Sequence, residues 1–103
     1  MTSLRLGVAG LGRAFMLMLP TLAHHPRVTL AACADPRAEA RARFAADFSA
    51  RTHESFDALC DDPGVDAIYL STPHQHHAAQ AIRAARAGKH VLVEKPMGIT
   101  LQE

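Results

Sequence analysis

Glycines at positions 10 and 12, in the stretch GVAGLGRAF, sit between an apolar run and a helical one. A carboxylate follows at Asp35, near the ~20-residue offset at which an acidic side chain receives a ribose 2'-hydroxyl in dinucleotide-binding folds. Gly10 permits a tight strand-to-helix turn, and Gly12 lets a pyrophosphate reach backbone amides at the positive end of a helix. The amides in question run from Gly10 and Leu11 through Gly12 to Arg13 and Ala14, with Gly7 opening the glycine-rich stretch. One position departs from the usual G-x-G-x-x-G pattern: Phe15 stands where the third glycine would allow close packing of helix on strand. A glycine-rich turn without a ligand fits this segment equally well, and the pairing with Asp35 is what favours a nucleotide. Asp35 also has a plain alternative role, as N-cap of a helix beginning at Pro36, worth about 1 kcal/mol. A carboxylate there favours NAD over NADP, while Arg37 leaves NADP open because an arginine can take the 2'-phosphate.

Two further segments could do chemistry. Lys95, in VLVEKPM, ends another apolar run. A lone loop lysine is usually a solvated charge. At a strand end beside a cationic nicotinamide, partial burial disfavours the ammonium, and the amine can then act as a general base. STPHQHH, beginning at Ser71, closes an earlier apolar run and borders the same crevice if both strands end on one edge. Its three histidines lack a nearby cysteine or a completed ligand set, so no metal site is expected.

The elements that position these groups alternate regularly. LRLGVA, VTLAACA, VDAIYL and HVLV read as strands at 4–9, 28–34, 65–70 and 90–93, with a short strand near Thr52. Helices are expected from Arg13 to about Ala23, bent or ended by Pro20, and from Pro36 with Ala40, Phe44 and Phe48 on its core face. A short helix capped by Ser55 follows, and then one carrying Ala78, Ile82 and Ala85 on one face, with Gly88 at its C-terminus. The segment from Ile99 to Glu103 reads as the beginning of another helix. Strands alternating with helices predict an α/β fold: a Rossmann-type parallel sheet with helices on both faces, incomplete at its C-terminal end.

Composition narrows the function classes. A chain of 103 residues, 49% hydrophobic and 20% charged, suits one globular domain over 1–103. Eleven basic against ten acidic residues leave a net charge of +1, with no basic patch for nucleic acid. No apolar run approaches the ~18 residues of a membrane span, and no signal peptide opens the chain. Cys33 and Cys60 imply no disulfide framework, which fits a cytoplasmic location.

GVAGLG, Ala34–Asp35–Pro36, DPGVDAIYLSTP, His77 and AGKHVLVEKP occur in an order and spacing that resembles the N-terminal domain of the Gfo/Idh/MocA oxidoreductases. The resemblance runs along essentially the whole chain. It implies an NAD- or NADP-binding Rossmann domain that serves hydride transfer at a carbon bearing a hydroxyl, on small-molecule substrates that are mostly sugars and cyclitols. It implies that Lys95 serves in proton transfer or polarises the substrate oxygen, with Glu94 and Pro96 holding it. Ser71, Thr72, Pro73, His74 and His77 would line the cofactor, although many relatives carry asparagine where His74 stands here. GLGRAFMLMLPTL and TPHQHH look more like phthalate dihydrodiol dehydrogenases, which act on a cis-dihydrodiol. The resemblance further implies a substrate domain absent from this chain, a homo-oligomeric full-length protein, and weak or no turnover by these residues alone. Two other readings are a nucleotide-binding module that senses without chemistry and a Rossmann-like domain for S-adenosylmethionine; the lysine argues against the second.

Overall fold

The computed structural model describes residues 4–71, 76–95 and 98–102. Ten elements follow in chain order: β1 (Leu4–Ala9), α1 (Arg13–His24), β2 (Val28–Ala34), α2 (Ala38–Phe48), β3 (Arg51–His53), α3 (Phe56–Cys60), β4 (Ala67–Leu70), α4 (His77–Arg86), β5 (His90–Lys95) and β6 (Gly98–Gln102). They form one sheet in the order β3-β2-β1-β4-β5-β6. The first five strands are parallel, and β6 runs antiparallel to β5.

Alternation along the strands builds two apolar layers. Leu6 and Val8 of β1, with Leu30, Cys33 and Tyr69, point to one face, where Phe15 and Leu22 of α1 and Phe44 of α2 close over them. Ala9, with Ala32, Ala34, Ile68, Leu70, Val91 and Val93, points to the other, under Leu59 and Cys60 of α3 and Ala84 of α4. Complete burial of a side chain such as Leu59 stabilises by about 1.5–3 kcal/mol. The consequence for function is positional: β1, β2 and β4 end side by side, with Ala9 opposite both Ala34 and Leu70.

Four local expectations are corrected. Helix α2 begins at Ala38 with Arg37 at its N-cap position, so Asp35 does not cap it; its carboxylate is held elsewhere, as described below. Helix α1 continues through Pro20 to His24. Pro20 and Met16 both lie on its exposed side, where water can serve the carbonyl that proline leaves without a donor. On α4 the Ala78, Ile82 and Ala85 face is turned to solvent, with Ile82 55% exposed. The smaller Ala81 and Ala84 meet the sheet instead, and Arg83 is tied to Asp57 and Asp61 on the α3 side. Finally, residues 98–102 form a strand rather than the start of a helix. There each residue from Gly98 to Gln102 is in register with one of β5, from Lys95 back to Val91.

Candidate functional site

The chain leaves β1 through Gly10, whose φ of 90° lies in the left-handed region that an L side chain resists. That turn is pinned from two sides. The Gly10 amide donates to the Ala34 carbonyl at 2.8 Å, and the Leu11 amide donates to Asp35 Oδ2 at 2.9 Å. Gly12 then occupies the N-cap position of α1, with no side-chain cap, and its carbonyl accepts from Met16. Among the described residues nothing demands glycine here: φ is −83°, and a Cβ would meet none of their atoms within 4 Å. The open space lies at the uncapped helix N-terminus, where backbone amides favour an anion. Arg13 and Ala14 open α1.

Gly7 has a different reason for being glycine. It lies inside β1, and a Cβ would come within 2.9 Å of Leu59 Cδ1 and 3.0 Å of Val65 Cγ1. This gives it a packing role, seating α3 and the approach to β4 against the sheet.

Asp35 is 5% exposed and accepts four hydrogen bonds. Leu11 N donates at 2.9 Å, Arg37 N at 2.8 Å, and the Arg37 guanidinium forks onto both carboxylate oxygens at 3.0 and 3.1 Å. Burial works against ionisation, but the Arg37 side chain and the two amides outweigh it and hold the carboxyl at about 2. The bond to the Arg37 amide is an Asx-type turn, which explains why helix geometry starts only after it. Arg37 itself is 53% exposed, so a second charge stands at the solvent side of the carboxylate. Arg41 donates to the Asp35 carbonyl at 2.7 Å and fixes the same loop from behind.

Ser71 follows β4, its amide bonded to the Ala9 carbonyl at 2.9 Å. Its hydroxyl is buried and has no hydrogen-bond partner among the described residues. A buried hydroxyl without a partner costs about 1–3 kcal/mol, so this oxygen suits a ligand entering the crevice. The open cradle at Gly12 and the Ser71 hydroxyl are both what a dinucleotide crossing the strand ends requires. His77 is the first residue of α4, and Glu94 and Lys95 are the last of β5. Thr72, Pro73, His74 and Pro96 lie outside the described residues.

A second buried carboxylate escaped the reading of the sequence. Asp62, in what reads as a plain DDPG turn, accepts from Arg51 Nε and Nη2, both at 2.9 Å, and from Gly64 N at 2.8 Å, and lies 3.0 Å from His53 Nε2. Burial opposes its charge, yet the bonds from Arg51, His53 and Gly64 carry it well below the usual carboxylate range. Lys89 adds bonds to the Asp62 and Val65 carbonyls, both 2.7 Å. The carbonyl of His53 accepts from the Asp35 amide at 3.2 Å, so this brace reaches the nucleotide-facing loop. Only the Asx pattern at Asp62 and Gly64 could have signalled it, because Arg51 and Lys89 are distant in sequence.

Other chemistries find little support. Burial pushes the Cys33 thiol up to about 11, with Asp35 adding to it, and burial does the same for Cys60; neither is a poised nucleophile. Among the described residues no three His, Cys, Asp or Glu side chains cluster to hold a metal, and no helix is long and apolar enough to cross a membrane.

Comparison with known proteins places this geometry. A family model described as an oxidoreductase family with an NAD-binding Rossmann fold matches residues 4–103. The chain is 50% identical over 101 residues to 1-carboxy-3-chloro-3,4-dihydroxycyclohexa-1,5-diene dehydrogenase of Comamonas testosteroni, covering 97% of this chain and 25% of that protein. A 3-ketoreductase from Actinomadura kijaniata, solved with NADP and TDP-benzene, superposes with a TM-score of 0.85 at 37% identity, over 94% of this chain and 30% of that one. The apo scyllo-inositol dehydrogenase of Lactobacillus casei gives 0.84 at 26% identity, over 94% and 29%. The chain thus spans between a quarter and a third of the length of these proteins.

Proposed function

The chain belongs to the Gfo/Idh/MocA oxidoreductase family and is an NAD(P)-binding Rossmann domain, and from that premise we propose that it forms the cofactor-binding part of a dehydrogenase acting on a cyclic alcohol, with Lys95 in proton transfer. The observation that carries this reading is the shared edge. Gly10, Gly12, Asp35 and Ser71 gather where β1, β2 and β4 end, and β5, whose Val93 pairs with Leu70, ends at Lys95 on the same side. When bound, NAD(P) supplies the acceptor or donor of hydride. The backbone amides that open α1 from Gly12 onward would hold its pyrophosphate, Gly10 and Leu11 would shape the turn beneath it through their bonds to Ala34 and Asp35, and the Ser71 hydroxyl would gain a partner. Lys95, as a neutral amine, takes the proton of the substrate hydroxyl while that carbon gives up hydride.

For the substrate, the 50%-identical relative bears the name of a dehydrogenase of a dihydroxylated cyclohexadiene, which supports a ring dihydrodiol. The fold match to an inositol dehydrogenase supports the broader class of ring polyols. For the cofactor, the Arg37 fork neutralises Asp35 at the position facing a ribose 2'-oxygen, so NADP is accepted beside NAD. Removing the fork by Arg37→Ala leaves a bare carboxylate, and the ratio of NADP to NAD affinity should fall at least tenfold in a calorimetric titration. Lys95→Ala in the protein as it occurs should lower kcat by about 10²-fold or more while leaving the NAD(P) dissociation constant within about twofold. Unchanged turnover would remove Lys95 from the chemistry and leave a nucleotide-binding module.

A further inference from the structure

Helices α1 and α2 do not close completely on one another. Between them lies a cavity of about 370 Å³ lined by Leu11, Phe15, Met16, Ala40, Phe44 and Phe48. It adjoins the departure in the glycine pattern, since Phe15 is one of its lining residues. A glycine at position 15 would let α1 settle on the sheet, whereas the Phe15 ring, 2% exposed, is wedged at the helix pair and meets Phe44 with ring centroids 5.9 Å apart. Phe44 in turn meets Phe48 at 5.0 Å, so three tilted rings form a continuous aromatic wall. Met16, opposite them, is 52% exposed, an apolar and polarisable side chain left at the opening.

Size and chemistry narrow the occupant. An apolar cavity of about 150 Å³ is enough to hold benzene, and ligand sites run from about 300 Å³ upward; one substituted ring fits 370 Å³. The polar rim is balanced in charge. Arg37 and Arg43 line it together with Glu39 and Asp47, and Arg37 is already committed to Asp35. An anion would meet Glu39 and Asp47, and a cation would meet Arg43. A neutral hydroxyl, which donates to a carboxylate and accepts from a guanidinium, suits both. We propose that this cavity binds a neutral, hydroxylated monocyclic aromatic molecule of the phenol or catechol class, at a site separate from the strand-end crevice but sharing Leu11 and Arg37 with it.

The shared residues give the site a consequence. Among the described residues, Leu11 and Arg37 contribute the hydrogen bonds that the Asp35 carboxylate receives. A ring lodged against them changes the cost of moving Arg37, and so changes dinucleotide affinity. This coupling rests on the cofactor reading above; the binding itself does not.

The test is a two-dimensional NMR titration of the 103-residue chain with phenol and catechol, in the absence of dinucleotide. Saturable shifts at Leu11, Ala40 and Phe44 are expected, with benzoate and benzylammonium binding at least fivefold more weakly. Ala40→Leu, which fills the chamber, should weaken phenol at least tenfold, while the same change at exposed Ala78 should not. Absence of saturable shifts in the wild-type chain overturns the proposal whatever the variants do. Equal binding of the charged rings overturns the choice of ligand class. Concentration-dependent shifts at the same residues without ligand would instead mark the groove as an interface between copies, and also overturn it. With phenol saturating, the NAD dissociation constant should change at least twofold; phenol binding with NAD affinity unchanged refutes the coupling. Absence of NAD binding under both conditions counts against the cofactor reading alone.

Discussion

Replacing Asp35 by asparagine removes a charge while keeping the shape, and the structure sets the size and pH dependence of the effect. Asp35 is depressed from 3.8 to about 2 in the folded chain, and that difference corresponds to about 2 kcal/mol of stability at neutral pH. Because the folded value lies below the unfolded one, this contribution is fully present above the unfolded value and is lost as pH falls through the folded one. The linkage relation gives little loss by pH 4, about 1 kcal/mol by pH 3 and most of the contribution by pH 2. Asp62 and Asp66 are also held low, so the wild-type profile alone mixes several groups. They titrate alike in both proteins and cancel in the difference. Urea unfolding followed by circular dichroism, on wild type and Asp35→Asn between about pH 6 and pH 3, therefore isolates one carboxylate. The gap should be largest at pH 6 and shrink by about 1 kcal/mol at pH 3. A gap that stays flat across that range would show that the Arg37 fork and the Leu11 amide do not stabilise the charge, and the reasoning about this loop fails with it.

Other substitutions separate folding from ligand binding. Gly12→Ala meets open space, so its melting temperature should match wild type while NAD(P) affinity drops at least tenfold by calorimetry; a wild-type affinity would empty the cradle of its meaning. Gly7→Ala pushes a methyl group against Leu59 and Val65 and should cost about 1–3 kcal/mol in urea unfolding, with dinucleotide affinity per folded molecule unchanged. Asp62→Ala leaves Arg51 and the Gly64 amide without their shared acceptor and should cost about 3 kcal/mol; a loss under 1 kcal/mol would show that the brace is only a solvated surface pair.

What could be read from the residues was set by how local the cause is. The strands of VTLAACA and HVLV, the turn at Gly10 and the Ser55 cap, whose hydroxyl accepts from the Ala58 amide, all follow from neighbours a few residues away. Asp35 was legible as a site residue but not in its bonding. Its local options were a helix cap or a ribose, and the partner that decides the matter, Leu11, arrives from 24 residues upstream. On α4 the larger apolar residues suggested the wrong face, because contact distance to the sheet favours Ala81 and Ala84 over Ile82. Phe15 was visible as a departure from a pattern, yet that it meets Phe44 beside a cavity depends on how two helices meet. The opposite direction of β6 likewise depends on its pairing with β5 rather than on its own five residues.

The position of β1 in the sheet order also has a consequence in time. Its two partners are β2 and β4, and the second of these begins at Ala67. During synthesis at about 5–20 residues per second, the interval between the emergence of β1 and that of β4 lasts on the order of 3–12 seconds. Throughout it this central strand has at least one edge unpaired, the condition under which nascent chains associate with one another or recruit chaperones. Slow codons or truncations that lengthen this interval should therefore lower the soluble yield of the domain without altering a single contact in its finished fold.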